Sequence, residues 1–176
     1  MPTNPDTLYA VFKYALYVWR HQHYVRMACW RERLFWRGLI HDWQKWLPRE
    51  FFPYAVFFGK HNPRDKTGYY KPTDTGSRSF DAAWKHHVHH GDHHWQHWCV
   101  ATEGELKVHE MPRAAIVEML CDWDGAGRAQ NATTSVREWF DINKHKMRFA
   151  PLTAYCIENM LSEPKWNRKR AGGLPC

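Results

Sequence analysis

The sequence lacks the cysteine pattern of a disulfide-stapled protein. Its five cysteines are odd in number, and no two of them form a C-x-x-C pair, so we expect reduced thiols in a cytosol-like compartment. Long apolar runs are also missing, and no stretch is long enough to span a bilayer. Lys13, Arg20 and His21 interrupt the first apolar segment, which argues against a secretory signal. We therefore expect a soluble cytoplasmic protein with no membrane partner.

Acidic side chains are scarce relative to basic ones. The chain has 18 Asp and Glu against 25 Lys and Arg, a formal net charge of +7. Such a balance indicates an anionic partner: a nucleotide, a nucleic acid or an anionic lipid. Part of the excess lies in a basic segment, residues 164–176, which we predict to be a flexible tail. That tail either is simply solvated or contributes to binding.

Alternating strand patterns, internal repeats and low-complexity segments are absent. Apolar residues recur instead at spacings of three and four, which predicts helices. The predicted helices are Thr7–Met27, Arg31–Trp46, Pro48–Phe58, Phe80–His90, Pro112–Ala129, Val136–Met147 and Leu152–Leu161. Asn62–Ser77 is predicted to be a loop and Glu103–Val108 a connection. With 176 residues, the chain fits one all-α domain of about six to eight helices over residues 1–163.

Histidine is concentrated in one place. Seven of the twelve residues from His86 to His97 are histidine, out of 13 in the chain. Neutral imidazole is the commonest metal ligand in proteins, so this segment indicates a metal site. Gly91 either breaks the helix, so that two halves converge, or is tolerated within it. The alternatives are a solvent-facing histidine-rich helix and a structural zinc site closed by Cys99.

Two other segments carry ligand-type side chains. An apolar run delivers His41 and Asp42 side by side, and an aspartate there can bridge two ions while the histidine binds one. Lys45 lies about one turn further along and can neutralise a phosphate oxygen. Asp122 stands among apolar neighbours, where a buried carboxylate needs a partner or a metal. A helix cap, a salt bridge with Arg128, and Glu118 as a competing ligand are the alternatives at this position.

The order of these residues resembles the HD superfamily of metal-dependent phosphohydrolases, which is all-helical. The resemblance rests on His21, on His41-Asp42 followed by Lys45, on the pairs His86-His87 and His93-His94, and on Asp122. Blocks around Trp36–Asp42, Glu50–Tyr54, His93–Gln96 and Ala126–Ala129 also resemble a family of phage and bacterial proteins with no assigned activity. The second resemblance runs from about His21 to Arg148.

The first resemblance implies a set of metal ligands and catalytic residues. The implied ligands are His21, His41, Asp42, His87, His94 and Asp122. His86 and His93 are then orienting or substrate contacts, and His23 is the rival of His21. The set would hold two divalent ions, Mn, Co, Fe or Zn, with Mg less suited to so many imidazoles. Asp42 would be shared by both ions, Lys45 and Arg128 would stabilise phosphoryl charge, and His89 or His90 would protonate the leaving group.

The expected function is hydrolysis of a phosphate ester or anhydride in a mononucleotide or signalling nucleotide. Flanking tryptophans, namely Trp43, Trp95, Trp98 and Trp123, belong to the core or stack on a base. A nucleic-acid-binding protein with a structural zinc, and an HD-type nuclease, are the alternatives. A homo-oligomer is compatible with the sequence, and so is the host cytoplasm as the location if a phage encodes the chain.

Overall fold

A 27-residue helix, α1 (Pro5–Arg31), is the element on which the other helices assemble. The structure, a computed structural model, describes residues 5–60 and 64–170. One face of α1 is buried and carries Tyr14, Val18, His21 and Val25, at the spacing of three and four that a helix requires. Helices α3 and α5 pack against this face, with α2 beside them. Helix α1 therefore connects the elements that hold the candidate site.

Six further helices complete the architecture within the described residues. They are α2 (Phe35–Ile40), α3 (Pro48–Lys60), α4 (Arg78–His90), α5 (Arg113–Ala129), α6 (Val136–Asn143) and α7 (Pro151–Leu161). Short 3-10 turns lie at Trp43–Trp46, Trp95–Trp98, Lys144–Lys146 and Pro164–Trp166. The prediction of an all-α domain with six to eight helices is confirmed. Residues 64–77 form neither helix nor strand, in agreement with the predicted loop.

A small hairpin corrects the prediction that Glu103–Val108 is a plain connection. Strand β1 (Cys99–Thr102) pairs antiparallel with β2 (Glu105–Val108). Glu103 and Gly104 form the two-residue turn, both with positive φ, as hairpin turns of this length require. Most side chains of both strands are exposed, so the hairpin lacks the alternation of buried and exposed residues that reveals a strand in sequence.

The predicted helix Arg31–Trp46 is also corrected, because the chain turns twice within it. Arg33 adopts a left-handed conformation with φ 62°, and the backbone N–H of Leu34 donates to the carbonyl of Cys29 at 2.8 Å. Helix α2 then runs for six residues and ends before His41 and Asp42. These two residues therefore lie in a turn between helices, so the directions of their side chains do not follow the period of a helix.

Two apolar clusters form the core. The first surrounds α5 and includes Ile116 and Leu120, packed against α6 and α7. The second joins α1 to α3 and α4, with Val18 and Phe80 among its members. His21 follows Val18 on the buried face of α1 and precedes Val25 of the first cluster. His21 thus lies where the two clusters meet.

The C-terminal segment packs on the domain as far as residue 170. Trp166 is buried in the first core cluster, and the guanidinium of Arg170 donates to Asp124 at 3.3 Å. This part of the predicted flexible tail is therefore held in place, and residues 171–176 lie outside the described residues. Among the helices that the structure describes, none has the length and apolar character needed to cross a bilayer.

Substitution of Gly125 by alanine tests the contact between α1 and α5. A Cβ at this position would lie 2.3 Å from Cγ2 of Val25 and 2.9 Å from its backbone nitrogen. Because a backbone atom cannot rotate away, we expect Gly125→Ala to lower the free energy of unfolding by about 1–3 kcal/mol. Urea denaturation followed by circular dichroism measures the change. Ala114→Ser, on the same helix, should change stability little, and equal stability of both variants would contradict this packing.

Candidate metal centre

The carboxylate of Asp42 lies at the centre of the site, with imidazoles on both sides. Its Oδ2 is 3.5 Å from Nε2 of His21 and 3.3 Å from Nε2 of His41. Its Oδ1 is 3.5 Å from Nε2 of His87 and 3.3 Å from Nε2 of His93. The two oxygens of one carboxylate therefore face two separate pairs of histidines.

Two groups of ligand-type side chains share this carboxylate. The first group consists of His21, His41, Asp42 and Asp122, and the second consists of Asp42, His87, His93 and His94. In each group, one ligand atom per residue lies within 4.8 Å of all the others. Each group therefore gathers four donor atoms in a space small enough for one ion.

The distances within the groups match those between ligands of a single ion. Nε2 of His21 is 3.2 Å from Oδ1 of Asp122 and 3.4 Å from Nε2 of His41. In the second group, Nε2 of His87 and Nε2 of His94 are 2.8 Å apart. Two nitrogens bound to zinc at the usual length lie about 3.3 Å apart in tetrahedral geometry and about 2.9 Å apart in octahedral geometry.

A strained turn presents Asp42 to the histidines. Asp42 adopts a left-handed conformation, with φ 52° and ψ 27°, which is uncommon outside glycine but tolerated by aspartate. The side-chain amide of Gln22 donates to the carbonyls of both His41 and Asp42, at 3.1 and 3.0 Å. Trp46 in turn donates from Nε1 to Oε1 of Gln22 at 2.8 Å. Helix α1 thus fixes the backbone of this turn.

A break at Gly91 brings the histidines of the second group together. Helix α4 ends there, with His87 in its last turn, and the chain doubles back. A Cβ on Gly91 would lie 2.9 Å from Cδ2 of His94 and 3.2 Å from Cε1 of His93. Glycine is therefore needed for His93 and His94 to approach His87. Of the two alternatives left open by the sequence, the structure has the converging halves.

Carboxylates lie beside the Nδ1 atoms of three of the candidate ligands, His41, His87 and His93. Nδ1 of His41 is 2.9 Å from Oε1 of Glu118, and Nδ1 of His93 is 3.4 Å from the same oxygen. Nδ1 of His87 is 3.1 Å from Glu50. A carboxylate on Nδ1 orients the ring and leaves Nε2 for a metal, as in many metalloenzymes. Arg37 forms an ion pair with Glu118.

The pKa values of three groups at the centre, those of Asp42, His21 and His94, are lowered by charges or by burial. Burial disfavours the charge on Asp42, but His41 and Lys45 outweigh this effect and hold its pKa well below the usual range. Burial and the charge of Lys45 lower the pKa of His21 to about 4. Burial also lowers the pKa of His94, with a further contribution from His93. At neutral pH, His21 and His94 are therefore neutral and have a lone pair available for a metal.

The site carries more negative than permanent positive charge. Four carboxylates surround it, those of Asp42, Glu50, Glu118 and Asp122, and two permanent cations oppose them, Lys45 and Arg37. Arg37 is also shared with Asp92. An excess of buried negative charge favours the binding of cations.

Several buried polar atoms of the site have no hydrogen-bond partner. Among the described residues these include both carboxylate oxygens of Asp42 and Nε2 of His93. Lys45 Nζ lies 2.6 Å from Oδ2 of Asp42 as an ion pair, while Oδ1 has imidazoles alone beside it. Buried polar groups are otherwise almost always satisfied. The donor set, its charge and its unpaired atoms therefore fit divalent transition-metal ions.

A cavity of about 170 Å³ lies against the metal centre. His21, Lys45, His87, His94 and Asp122 line it at one end. Its aromatic lining comprises Tyr14, Tyr17, Tyr54, Phe58, Tyr69, Tyr70, Trp84, Trp95, Trp123 and Trp139. Two further cations, Arg64 and Arg170, also line it. Of the tryptophans singled out in the sequence, Trp95 and Trp123 lie on the cavity wall, whereas Trp43 is largely exposed.

The structure brings together all six predicted ligands and Lys45, but not every predicted residue. His89 lies on the exposed face of α4, and Arg128 pairs with Asp124 at 2.8 Å, outside the cavity lining. Their positions do not support the roles expected of them. His23, the rival of His21, is exposed and stacks on Trp19.

Sequence reasoning assigned some groups differently or missed them. His93, expected to orient or contact substrate, has its Nε2 among the ligand atoms of the second group. Glu118 was considered as a ligand of the Asp122 site, but it holds His41 and His93 through Nδ1. Glu50 carried no signal, because contact with His87 spans two helices. Cys99 is in none of the metal-ligating groups of the described residues, so a site closed by this thiol has no support.

Comparison with known proteins gives one match. A family model described as a family of unknown function (DUF5662) matches residues 10–163. No curated protein and no solved structure matches the chain. The matched range contains every candidate ligand and ends before the segment that carries Arg170.

Substitution of Glu118 by glutamine tests how the histidines are oriented. Glutamine keeps the shape of the side chain but removes the charge that faces Nδ1 of His41 and His93. We expect Glu118→Gln to weaken divalent-metal binding by about 10–100-fold, measured by competition with a chromogenic chelator. Glu158→Gln, which alters an ion pair with Arg137 on the surface, is the matched control. Unchanged affinity in the Glu118 variant would show that the carboxylate does not support the centre.

Proposed function

The chain belongs to this family of unknown function, and we propose that it is a metal-dependent phosphohydrolase. Its substrate would be a phosphate ester or anhydride of a nucleotide, either a mononucleotide or a signalling nucleotide. The reaction would use a water molecule activated by divalent transition-metal ions held by the two groups around Asp42. Manganese, cobalt, iron and zinc suit this mixture of imidazoles and carboxylates better than magnesium does.

The observation that carries the proposal is the position of Asp42 between two complete ligand groups. One oxygen faces His21 and His41, and the other faces His87 and His93. A structural zinc site usually has cysteine and histidine ligands, and its single ion has no open coordination position. A carboxylate shared by two groups is typical instead of dinuclear hydrolytic centres.

The chain's own residues supply binding, orientation and charge. His21, His41 and Asp122 would complete one ion's ligands, and His87, His93 and His94 would complete the other's. Ions bound there supply Lewis acidity, which lowers the pKa of water and draws charge from phosphoryl oxygens. Lys45, with its side chain largely buried beside Asp42, can donate to a phosphoryl oxygen at the cavity floor.

The cavity supports a nucleotide as the substrate. Ten aromatic side chains line it and offer flat faces on which a base can stack. Arg64 adds positive charge to the same cavity, where it can contact further phosphate oxygens, whereas Arg170 is paired with Asp124. A small phosphorylated molecule with an aromatic part matches both features.

Two alternative functions predict different experimental results. A nucleic-acid-binding protein with a structural zinc would unfold when the metal is removed, and its binding would weaken steeply with salt. An HD-type nuclease would cleave polynucleotides faster than mononucleotides. The basic net charge supports these alternatives as well, but the absence of cysteine from the metal-ligating groups among the described residues argues against the structural zinc.

Elemental analysis combined with Asp42→Asn tests the centre directly. We expect close to two transition-metal ions per chain in the wild type, and one or none in the variant, because asparagine removes the shared charge. Hydrolysis of p-nitrophenyl phosphate, bis-p-nitrophenyl phosphate or nucleotides in a panel should fall by at least about 100-fold. Asp74→Asn, in the exposed loop, is the control.

The other outcomes of that experiment separate the alternatives. One zinc per chain that persists in Asp42→Asn would indicate a structural site and contradict the proposal. Two ions with no hydrolysis of any phosphate substrate would show a metal-binding protein without this activity. Circular dichroism establishes that each variant is folded.

Substitution of Lys45 by methionine separates phosphate contact from metal binding. Methionine preserves much of the side-chain length without the charge. We expect hydrolysis to fall by about 100–1,000-fold, while metal content does not fall, because an ammonium group repels cations. Lys107→Met on the exposed strand β2 should retain full activity. Loss of metal together with activity would instead show that Lys45 supports the fold of the centre.

A further inference from the structure

The outward face of α1 carries a continuous apolar stripe. Its members are Leu8, Phe12, Leu16, Trp19, Met27 and Trp30, each 40–67% exposed. They recur at spacings of three and four, opposite the buried face of the helix, with His23 as the polar position between them. The stripe extends about 33 Å at the usual helical rise. No element of the described chain covers it.

The stripe is part of a larger exposed surface. Helix α2 packs against α1 and exposes Trp36 at 77% and Ile40 at 58%. The following turn exposes Trp43 and Trp46. These ten large side chains, each offering about 80–100 Å², amount to about 800–1,000 Å². Monomeric proteins rarely expose apolar patches of this size, and a standard protein interface needs about 800 Å² from each partner.

We propose that a second copy of this chain covers this surface, with the two α1 helices antiparallel and crossing at Trp19. Trp19 is the midpoint of the stripe, since Leu8 lies 11 residues before it and Trp30 lies 11 residues after it. Antiparallel pairing therefore sets Leu8 opposite Trp30 of the second copy. A two-fold axis is the commonest symmetry of soluble oligomers.

Charge at the ends of α1 agrees with this arrangement. Asp6 lies in the first turn and Arg31 in the last, on the same flank of the stripe. Antiparallel pairing brings each Asp6 to the same end as Arg31 of the second copy, whereas parallel pairing would place these opposite charges at opposite ends of the interface. An anionic lipid surface would also meet the exposed basic residues, and binding to vesicles distinguishes it from a second copy.

The surface is connected to the metal centre. Trp46, which is 45% exposed on it, donates to Gln22, and Gln22 holds the carbonyls of His41 and Asp42. Covering the surface would shield these hydrogen bonds from water and so stiffen the turn that carries Asp42. The dimer itself does not depend on the reaction proposed for the centre.

Light scattering coupled to size exclusion tests the association. The full chain should have twice its monomer mass of 21.1 kDa at micromolar concentration. Trp19→Glu should halve that mass, because it places two like charges at the crossing point. Tyr155→Glu, at an equally exposed aromatic on α7 (64% against 62%), should remain dimeric. A monomeric wild type at low and high micromolar concentration would overturn the proposal, as would a Trp19→Glu protein that keeps the dimer mass.

A second variant keeps the test valid if Trp19→Glu fails to fold. Trp19→Cys places two thiols at the crossing point, and mild oxidation should give a covalent dimer that reducing agent reverses. Tyr155→Cys and the wild type, oxidised in parallel, give the background from other cysteines. No cross-link above that background would contradict the crossing at Trp19. Flotation of a monomeric wild type with phosphatidylglycerol vesicles would identify a lipid surface instead of a second copy.

Discussion

A buried carboxylate that accepts no hydrogen bond, that of Asp42, is the constraint on which the rest of the centre depends. Such a charge is costly unless cations compensate it. Lys45 compensates one oxygen, and imidazoles surround both. The left-handed turn, the bond from Gln22 and the break at Gly91 each bring compensating groups to this one position. These three features lie apart in the sequence, and each of them helps to offset the buried charge of Asp42.

Packing between α1 and α5 determines the distances between the side chains of the candidate centre. His21 projects from α1 and Asp122 from α5, and they meet at 3.2 Å. That approach requires the two helices to lie close together, which Gly125 permits by leaving room for the backbone of Val25. The candidate metal centre thus relies on the packing between α1 and α5, so metal bound there would be linked to the stability of the domain.

The residue types of the site could be predicted, but their partners could not. His41, Asp42 and Asp122 stand out because polar groups in apolar helical surroundings need compensation, and the helices follow from the apolar spacing. His93 was assigned a lesser role, because the direction of the chain after Gly91 depends on tertiary packing. Glu50 and Arg170 gave no signal, since their contacts join distant segments. The hairpin was missed because its strands are exposed and show no apolar pattern in the sequence; the two-residue turn determines their pairing.

The charges of the centre also constrain the order in which ligands bind. The protein is basic overall, with a net charge of +7, yet four carboxylates surround its candidate centre. Without cations, these groups would repel a phosphate at short range, where screening is weakest. The surface charge can attract an anionic substrate to the protein, but Lys45 alone cannot offset the carboxylates around it. Under the proposed function, a phosphate would therefore bind productively only after the metal ions.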